Sequence, residues 1–402
     1  MPRRSPSRSR SSRQAEAPRT SNREPRRSRS KWRGRGPILV GLAVVLAMAA
    51  LGWLAARMPA DLRSEAERAQ HSGDREAALR AWTALNATDS ATAATWLSQA
   101  RAALAVGRAA GAEAALRLSI EKDPASAEGW RILLEIFRAE DRRIDAERFA
   151  WGAFDRVPTE ARGAVLRELT LALLADVPDA DARRTLARWV RTDPNDVDAR
   201  VALIRRIAEQ PADGDPDRDA RLAELESIVE THPEHLGARA ALATAMAEAG
   251  EPDRGRSALD AWPVNRRDDP RYLQLRGRWA LEYDQQPEDA AVVLAEAVRA
   301  VPSDWRSWYR LARALRRIGR NGEARRAAES VARIREAIEP VPLGRRLADD
   351  LKNPDDPRSA ADLADLADRA GFDRLAIAWR AEAQTRTHRA RSARPGMRED
   401  RP

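Results

Sequence analysis

Beyond residue 58 the chain repeats itself at intervals of 34 residues. Trp96 and Trp130 stand 34 apart, as do Pro124 and Pro158; Pro124 precedes Trp130 by six positions, and Pro302 precedes Trp308 by six. A period of this length restricts a chain to architectures in which one supersecondary unit stacks on copies of itself. In residues 127–158, Trp130, Leu133, Leu134 and Phe137 share one face of a first predicted helix, and Ala146, Ala150, Ala153 and Phe154 form the facing stripe of a second. Small residues such as Ala112, Ala146 and Ala324 let two antiparallel helices approach, while Trp and Leu fill the gap to the next hairpin. The repeat tryptophans therefore read first as core.

On these residues the chain resembles the tetratricopeptide repeat family. Residues 127–158 match through Trp130, Leu133, Leu134, Phe137, Ala146, Ala150, Ala153 and Pro158, and residues 93–124 through Trp96, Ala100, Gly107, Ala112, Leu116 and Pro124. Residues 271–302 match through Leu281, Ala290, Leu294, Ala297 and Pro302, and residues 305–336 through Trp308, Leu311, Ala312, Leu315, Gly319, Ala324 and Ala328. Weaker copies carry Gly73, Ala78 and Trp82; Ala182, Leu186 and Pro194; Leu225, Ile228 and Pro233; and Gly250 and Leu259. The resemblance implies an all-α fold, a solenoid of about eight helix hairpins over residues 59–338. A cluster of Pro340, Pro342, Gly344 and Pro354 reads as a linker over 339–357, followed by a degenerate hairpin at 358–388 with Ala364, Gly371, Ala376 and Trp379.

Ahead of the repeats, Pro37–Ala56 is a run of 20 uncharged residues, which as a helix spans about 30 Å, the thickness of a bilayer's hydrocarbon core. Residues 37–57 are expected to form a transmembrane helix with Trp32 and Trp53 near its ends. The alternative, a cleaved signal peptide, has a shorter apolar core and a better small-x-small site than Leu54–Ala60 offers. Residues 1–36 hold 13 Lys/Arg against two Glu, which keeps the N-terminus cytoplasmic and places the solenoid outside, in the periplasm if the chain is bacterial. That Arg/Ser/Pro-rich stretch and the basic tail 389–402 are too poor in apolar residues to fold and are expected to be disordered.

Charge and composition narrow the chemistry. The net charge is +9, but the tails and the apolar segment account for +15, which leaves −6 on residues 59–388. A folded body of that balance is not expected to bind nucleic acid. There is no Cys and only four His, so thiol catalysis, disulfides and thiolate metal sites are excluded. No P-loop, G-x-S-x-G, H-E-x-x-H or dinucleotide fingerprint is present. His232 and His235 lack nearby further ligands, and zinc wants four. The segment Asp213-Gly-Asp215-Pro-Asp217-Arg-Asp219, with Glu224, imitates the acidic spacing of a calcium loop, but Arg218 stands where the sharp turn needs Gly. The plainer reading is a solvated loop whose Asp219 caps the next helix.

What remains is binding. Tetratricopeptide arrays typically hold peptides or proteins on the concave face lined by their first helices. On matching positions that resemblance implies Arg101, Arg131, Glu135 and Arg138 in the second and third units, Trp279 and Tyr283 in the seventh, and Arg306, Tyr309, Arg313 and Arg316 in the eighth. Guanidinium groups interleaved with Tyr can grip an acidic or C-terminal carboxylate segment by forked hydrogen bonds. The expectation is thus a membrane-anchored, non-catalytic scaffold for protein or peptide partners, with no metal, cofactor or small-molecule substrate. Alternatives are an accessory subunit of an envelope, secretion or cytochrome-maturation complex, and a holdase chaperone for exported chains.

Overall fold

The computed structural model describes residues 58–175, 178–209, 217–353 and 356–392, and every regular element among them is helical. The contacts divide the chain after Arg57. Residues 1–57, with the transmembrane helix expected over 37–57, and residues 176–177, 210–216, 354–355 and 393–402 lie outside the described part. Among the described residues no helix is long and apolar enough to cross a membrane.

The helices are α1 (58–72), α2 (Arg75–Asn86), α3 (Ala93–Val106), α4 (Ala109–Lys122), α5 (Ala127–Ala139), α6 (Arg143–Phe154) and α7 (Arg162–Leu174). Then come α8 (Asp179–Thr192), α9 (Val197–Ala208), α10 (Arg218–Thr231), α11 (Leu236–Glu248), α12 (Pro252–Asp260) and a 3-10 turn at Val264–Arg266. The last are α13 (Pro270–Glu282), α14 (Pro287–Ala300), α15 (Trp305–Arg317), α16 (Asn321–Ala337), α17 (Pro340–Asp350), α18 (Pro357–Arg369) and α19 (Asp373–Ser392). Local chemistry sets many of these boundaries. Thr92 and Thr95 close a capping box on α3, and the Ser126 and Asp196 side chains accept from the N–H groups of Gly129 and Ala199 at the starts of α5 and α9. Gly107 ends α3 in the left-handed conformation at φ 92°.

The Pro–Trp spacing of six has a direct cause. The Trp130 indole N–H donates to the Pro124 carbonyl at 2.9 Å, and Trp308 donates to Pro302 at the same distance. The turn before the helix thereby gains a partner for a carbonyl, and a large side chain is buried with its one polar atom satisfied.

Helices α3–α4, α11–α12, α13–α14, α15–α16 and α18–α19 pack along one another as hairpins. The run of hairpins expected over 59–338 is not regular: α5–α6 and α9–α10 meet over a shorter length, and α7 and α8 do not pack along one another. Helix α7 lies against α5, α6 and α19, whereas α8 pairs with α9 and touches α5. Helix α19 therefore occupies the place beside α7 that the repeat register assigns to α8: Arg374 lies over the Trp151 ring of α6 at 5.1 Å, and Trp379 reaches Thr170 of α7. The fully buried Ala364 and Ala376 of the last hairpin belong to the same core as Leu133, Phe137 and Leu166.

Two boundaries need correction. The linker expected over 339–357 contains helix α17, because Pro340 and Pro342 fall in its first turn, where no intrahelical N–H is required. Leu343, Leu347 and Leu351 recur at one-turn spacing and bury that helix against the common core. The basic tail expected from 389 begins later, since α19 runs through Ser392.

A charged junction ties distant helices together. The Arg142 guanidinium meets Glu113 of α4 at 2.6 Å, Glu140 at 2.8 Å, Asp145 at 3.3 Å and Asp198 of α9 at 3.2 Å. Asp145 also meets Arg271 of α13 at 2.5 Å, and the buried Asp269 accepts from Arg148 at 2.9 Å. Burial opposes the charge on Arg142, but Glu140, Asp198 and Glu113 outweigh it and hold its pKa above the usual value. Burial likewise disfavours ionised Asp145 and Asp198, yet Arg271 and Arg142 beside the first, and His235 and Arg142 beside the second, keep both below the ordinary carboxylate range.

Candidate protein-binding site

Helix α5 buries Trp130, Leu133, Leu134 and Phe137 against its neighbours and leaves Arg131, Glu135 and Arg138 along one outer ridge. A cleft opens on each side of this ridge. The first, about 190 Å³, lies between α5 and α7 and brings Arg131, Glu135 and Arg138 together with Arg167 and Glu168 over an apolar floor that includes Leu134 and Leu171. The second, about 310 Å³, is walled by Leu104, Ile132, Ile136 and Trp189, with Arg188 and Asp181 from α8 at its edge. Both share Glu135 and Arg138.

The ridge is ordered by its own charges. Arg131 meets Glu135 at 2.8 Å and Glu128 at 3.9 Å, and Glu128 in turn pairs with Arg101 of α3. That hydrogen bond from Arg101, against a smaller opposing effect of burial, holds Glu128 below the usual carboxylate range. Burial pushes Glu168 up, and Glu135 reinforces the shift while Arg167, Arg131 and Arg138 oppose it. Three guanidinium groups and two carboxylates above an apolar floor suit a peptide segment that offers an apolar side chain flanked by an acidic group.

Of the residues expected to bind, Arg131, Glu135 and Arg138 do come together, with Arg101 one helix away through Glu128. Arg306, Tyr309, Arg313 and Arg316 form a separate stripe on α15, with Arg306 over the Trp305 ring at 4.9 Å and Arg313 over Tyr309 at 5.8 Å. Trp279 is no surface residue. It is 0 % exposed, and its indole N–H donates to the Pro252 carbonyl at 3.1 Å, because it fills the step between α12 and α13. Tyr283, half-buried, packs on it with ring centroids 5.2 Å apart. The cleft residues Arg167, Glu168 and Arg188 escaped the sequence reading because the fourth unit departs from the register: Pro158 and Pro194 are 36 residues apart.

His235 has a place in the helix packing. Nδ1 of His235 accepts from the Ala238 N–H at 3.0 Å and caps α11, so the ring proton sits on Nε2, which donates to Asp198 at 3.2 Å. Most of the acidic loop Asp213–Asp219 lies outside the described residues. Asp219 falls in the first turn of α10 and makes no cap, since that helix starts at Arg218 without a side-chain cap bond.

Residues 212–278 match the tetratricopeptide repeat family. No curated protein matches the chain. Among solved structures, a crystal structure of MamA is 14 % identical and aligns over 45 % of this chain and 93 % of its own, with a TM-score of 0.27. The Cut9 and Hcn1 hetero-tetramer of APC/C gives 16 % identity over 78 % of this chain and 57 % of its own, with a TM-score of 0.39. A tetratricopeptide repeat protein from Parabacteroides merdae gives 12 %, 64 % and 99 %, with a TM-score of 0.31. The described residues thus form a helical array rich in hairpins, and the segment 212–278 is similar to the tetratricopeptide repeat.

Proposed function

We propose that the chain is a non-catalytic scaffold that holds a short segment of a partner protein in the paired clefts beside α5. The observation that carries this reading is the Arg131–Glu135–Arg138 ridge with an apolar-floored cleft on either side. The 20 uncharged residues Pro37–Ala56, preceded by 13 basic ones, support tethering of this scaffold to a membrane with the repeats on the extracytoplasmic side. Accessory subunits of envelope or secretion complexes fit the same description.

A photo-crosslinking residue installed at Arg138 tests the site. It is expected to trap a discrete partner in intact cells, and the same probe at the exposed Lys122 is not. Equal yields from both positions would remove the assignment. Protection of a C-terminal tag from external protease in whole cells, lost when the outer barrier is opened, tests the orientation.

A further inference from the structure

The mild acidity of residues 59–388 conceals a strongly basic segment. Residues 305–338, the α15–α16 hairpin, contain ten arginines against three glutamates, a local charge of +7, so the rest of that span carries −13. On α15, Arg306, Tyr309, Arg313 and Arg316 recur at i, i+3, i+7 and i+10, a single stripe about 15 Å long. Arg335 of α16 reaches the same end: it lies 5.2 Å from the centroid of the Trp305 ring, and Arg306 lies 4.9 Å from it. Neighbouring arginines are spent internally, Arg310 on Glu282 at 3.0 Å and Arg320 on Glu323 at 2.6 Å. Arg306, Arg313, Arg316 and Arg335 engage no carboxylate among the described residues.

We infer that this stripe binds the phosphate backbone of single-stranded nucleic acid, with a base stacked on Tyr309. The ring is 49 % exposed and stands on the stripe between Arg306 and Arg313, an arrangement of charge and aromatic face that takes successive phosphates and an unstacked base. A protein partner is the poorer fit. Protein interfaces are anchored by buried apolar side chains, yet Tyr309 is the one exposed large hydrophobic residue described between 305 and 338. The two clefts described above are lined from α3, α5, α7 and α8, not from this hairpin. A phosphate backbone needs neither anchor nor cleft, only spaced guanidinium groups. The sequence marks Arg306, Tyr309, Arg313 and Arg316 as a binding stripe, but the acidic balance of residues 59–388 argues against nucleic acid because it averages over a basic segment. The inference is independent of the α5 site.

The test uses the full chain in detergent and a fluorescein-labelled oligothymidylate of about twenty nucleotides. The variant R306Q/R313Q/R316Q/R335Q is expected to lose at least tenfold in affinity, and the slope of log K against log salt is expected to fall by about 3, at roughly 0.7 per lost contact. Because residues 1–36 are themselves basic, the comparison is repeated with their arginines changed to Gln; the difference between stripe variant and parent must survive. Tyr309→Phe is expected to retain binding and Tyr309→Ala to lose it several-fold. A 5-bromodeoxyuridine oligonucleotide is expected to crosslink the wild-type chain within α15, a readout that needs no variant to fold. Unchanged affinity of the stripe variant, or crosslinks confined to the tails, would overturn the inference. So would competition by polyglutamate as strong as that by unlabelled oligonucleotide, which assigns the stripe to an acidic protein, or stripe-dependent binding to phosphatidylglycerol vesicles without oligonucleotide binding, which assigns it to a lipid surface.

Discussion

The indole N–H of Trp379 donates to Oγ1 of Thr170 at 2.8 Å, joining α19 to α7 across 209 residues of sequence. The Thr170 hydroxyl in turn donates to the Leu166 carbonyl at 2.7 Å, so all three polar groups are satisfied in a site closed to water. The last hairpin is thus part of the first repeats' core. Thr170→Val leaves the buried indole without an acceptor and is expected to cost about 1–3 kcal/mol. Trp379→Ala opens a cavity and is expected to cost about 3–5 kcal/mol. Hydrogen exchange provides the check: amides of α7, far away in sequence, should lose protection in both variants. If only α18 and α19 respond, the shared core is wrong.

Arg142 supports a different and more sensitive joint. Its neighbour Glu140 has a side chain only 1 % exposed, and burial pushes that carboxyl well above the usual range despite Arg142. Removing the guanidinium strands Glu140, Glu113 and Asp198 without their common partner. Arg142→Met is expected to destabilise by about 3–5 kcal/mol, against about 0–1 kcal/mol for the half-exposed Arg101→Ala. Urea midpoints of the two variants should differ accordingly, and comparable midpoints would show the junction to be ornamental.

The hairpin architecture was legible because its rules are local. A Trp six residues after a Pro bonds that Pro's carbonyl, and a one-turn Ala stripe permits close helix packing; both leave marks within one period. The replacement of α8 by α19 beside α7 depends on residues some 200 positions apart, which no period records. Pro340 and Pro342 misled for a related reason: the same residues that punctuate a linker also start a helix, and only the burial of Leu343 and Leu347 decides between them. At the candidate site, position within the repeat found the α5 ridge but failed at Trp279, where the large side chain turns inward.

Gly371 and Gly73 make a controlled pair. Both turn glycines have positive φ, 81° and 78°. At Gly371 a Cβ would lie 2.6 Å from the Pro302 carbonyl oxygen, because the α18–α19 turn docks on the α14–α15 loop; at Gly73 it would meet nothing within 4 Å. Gly73→Ala is expected to cost about 1 kcal/mol of backbone strain. Gly371→Ala adds a clash with main chain and is expected to cost at least about twice that. Thermal unfolding of the two single variants measures the difference; equal losses would mean that the turn does not touch the loop.

Stability should also respond to pH through Glu147 of α6. Burial pushes this carboxyl to about 7, with Arg374 of α19 opposing, from 4.5 in the unfolded chain. The folded state then holds the proton more tightly than the unfolded state between those values. Its contribution is therefore complete below about pH 4.5 and is lost as pH rises through 7, by about 3 kcal/mol at most. Asp145 and Asp198 act in the opposite sense: their lowered values give stability that is present above 3.8 and lost on acidification below it. Glu147→Gln is expected to flatten the decline toward pH 8 and to be the more stable protein there, while leaving acid unfolding unchanged. Urea midpoints of parent and variant from pH 4.5 to 8 decide the matter. Parallel curves would mean that Glu147 keeps its charge in the folded protein and that α19 does not shield it from water.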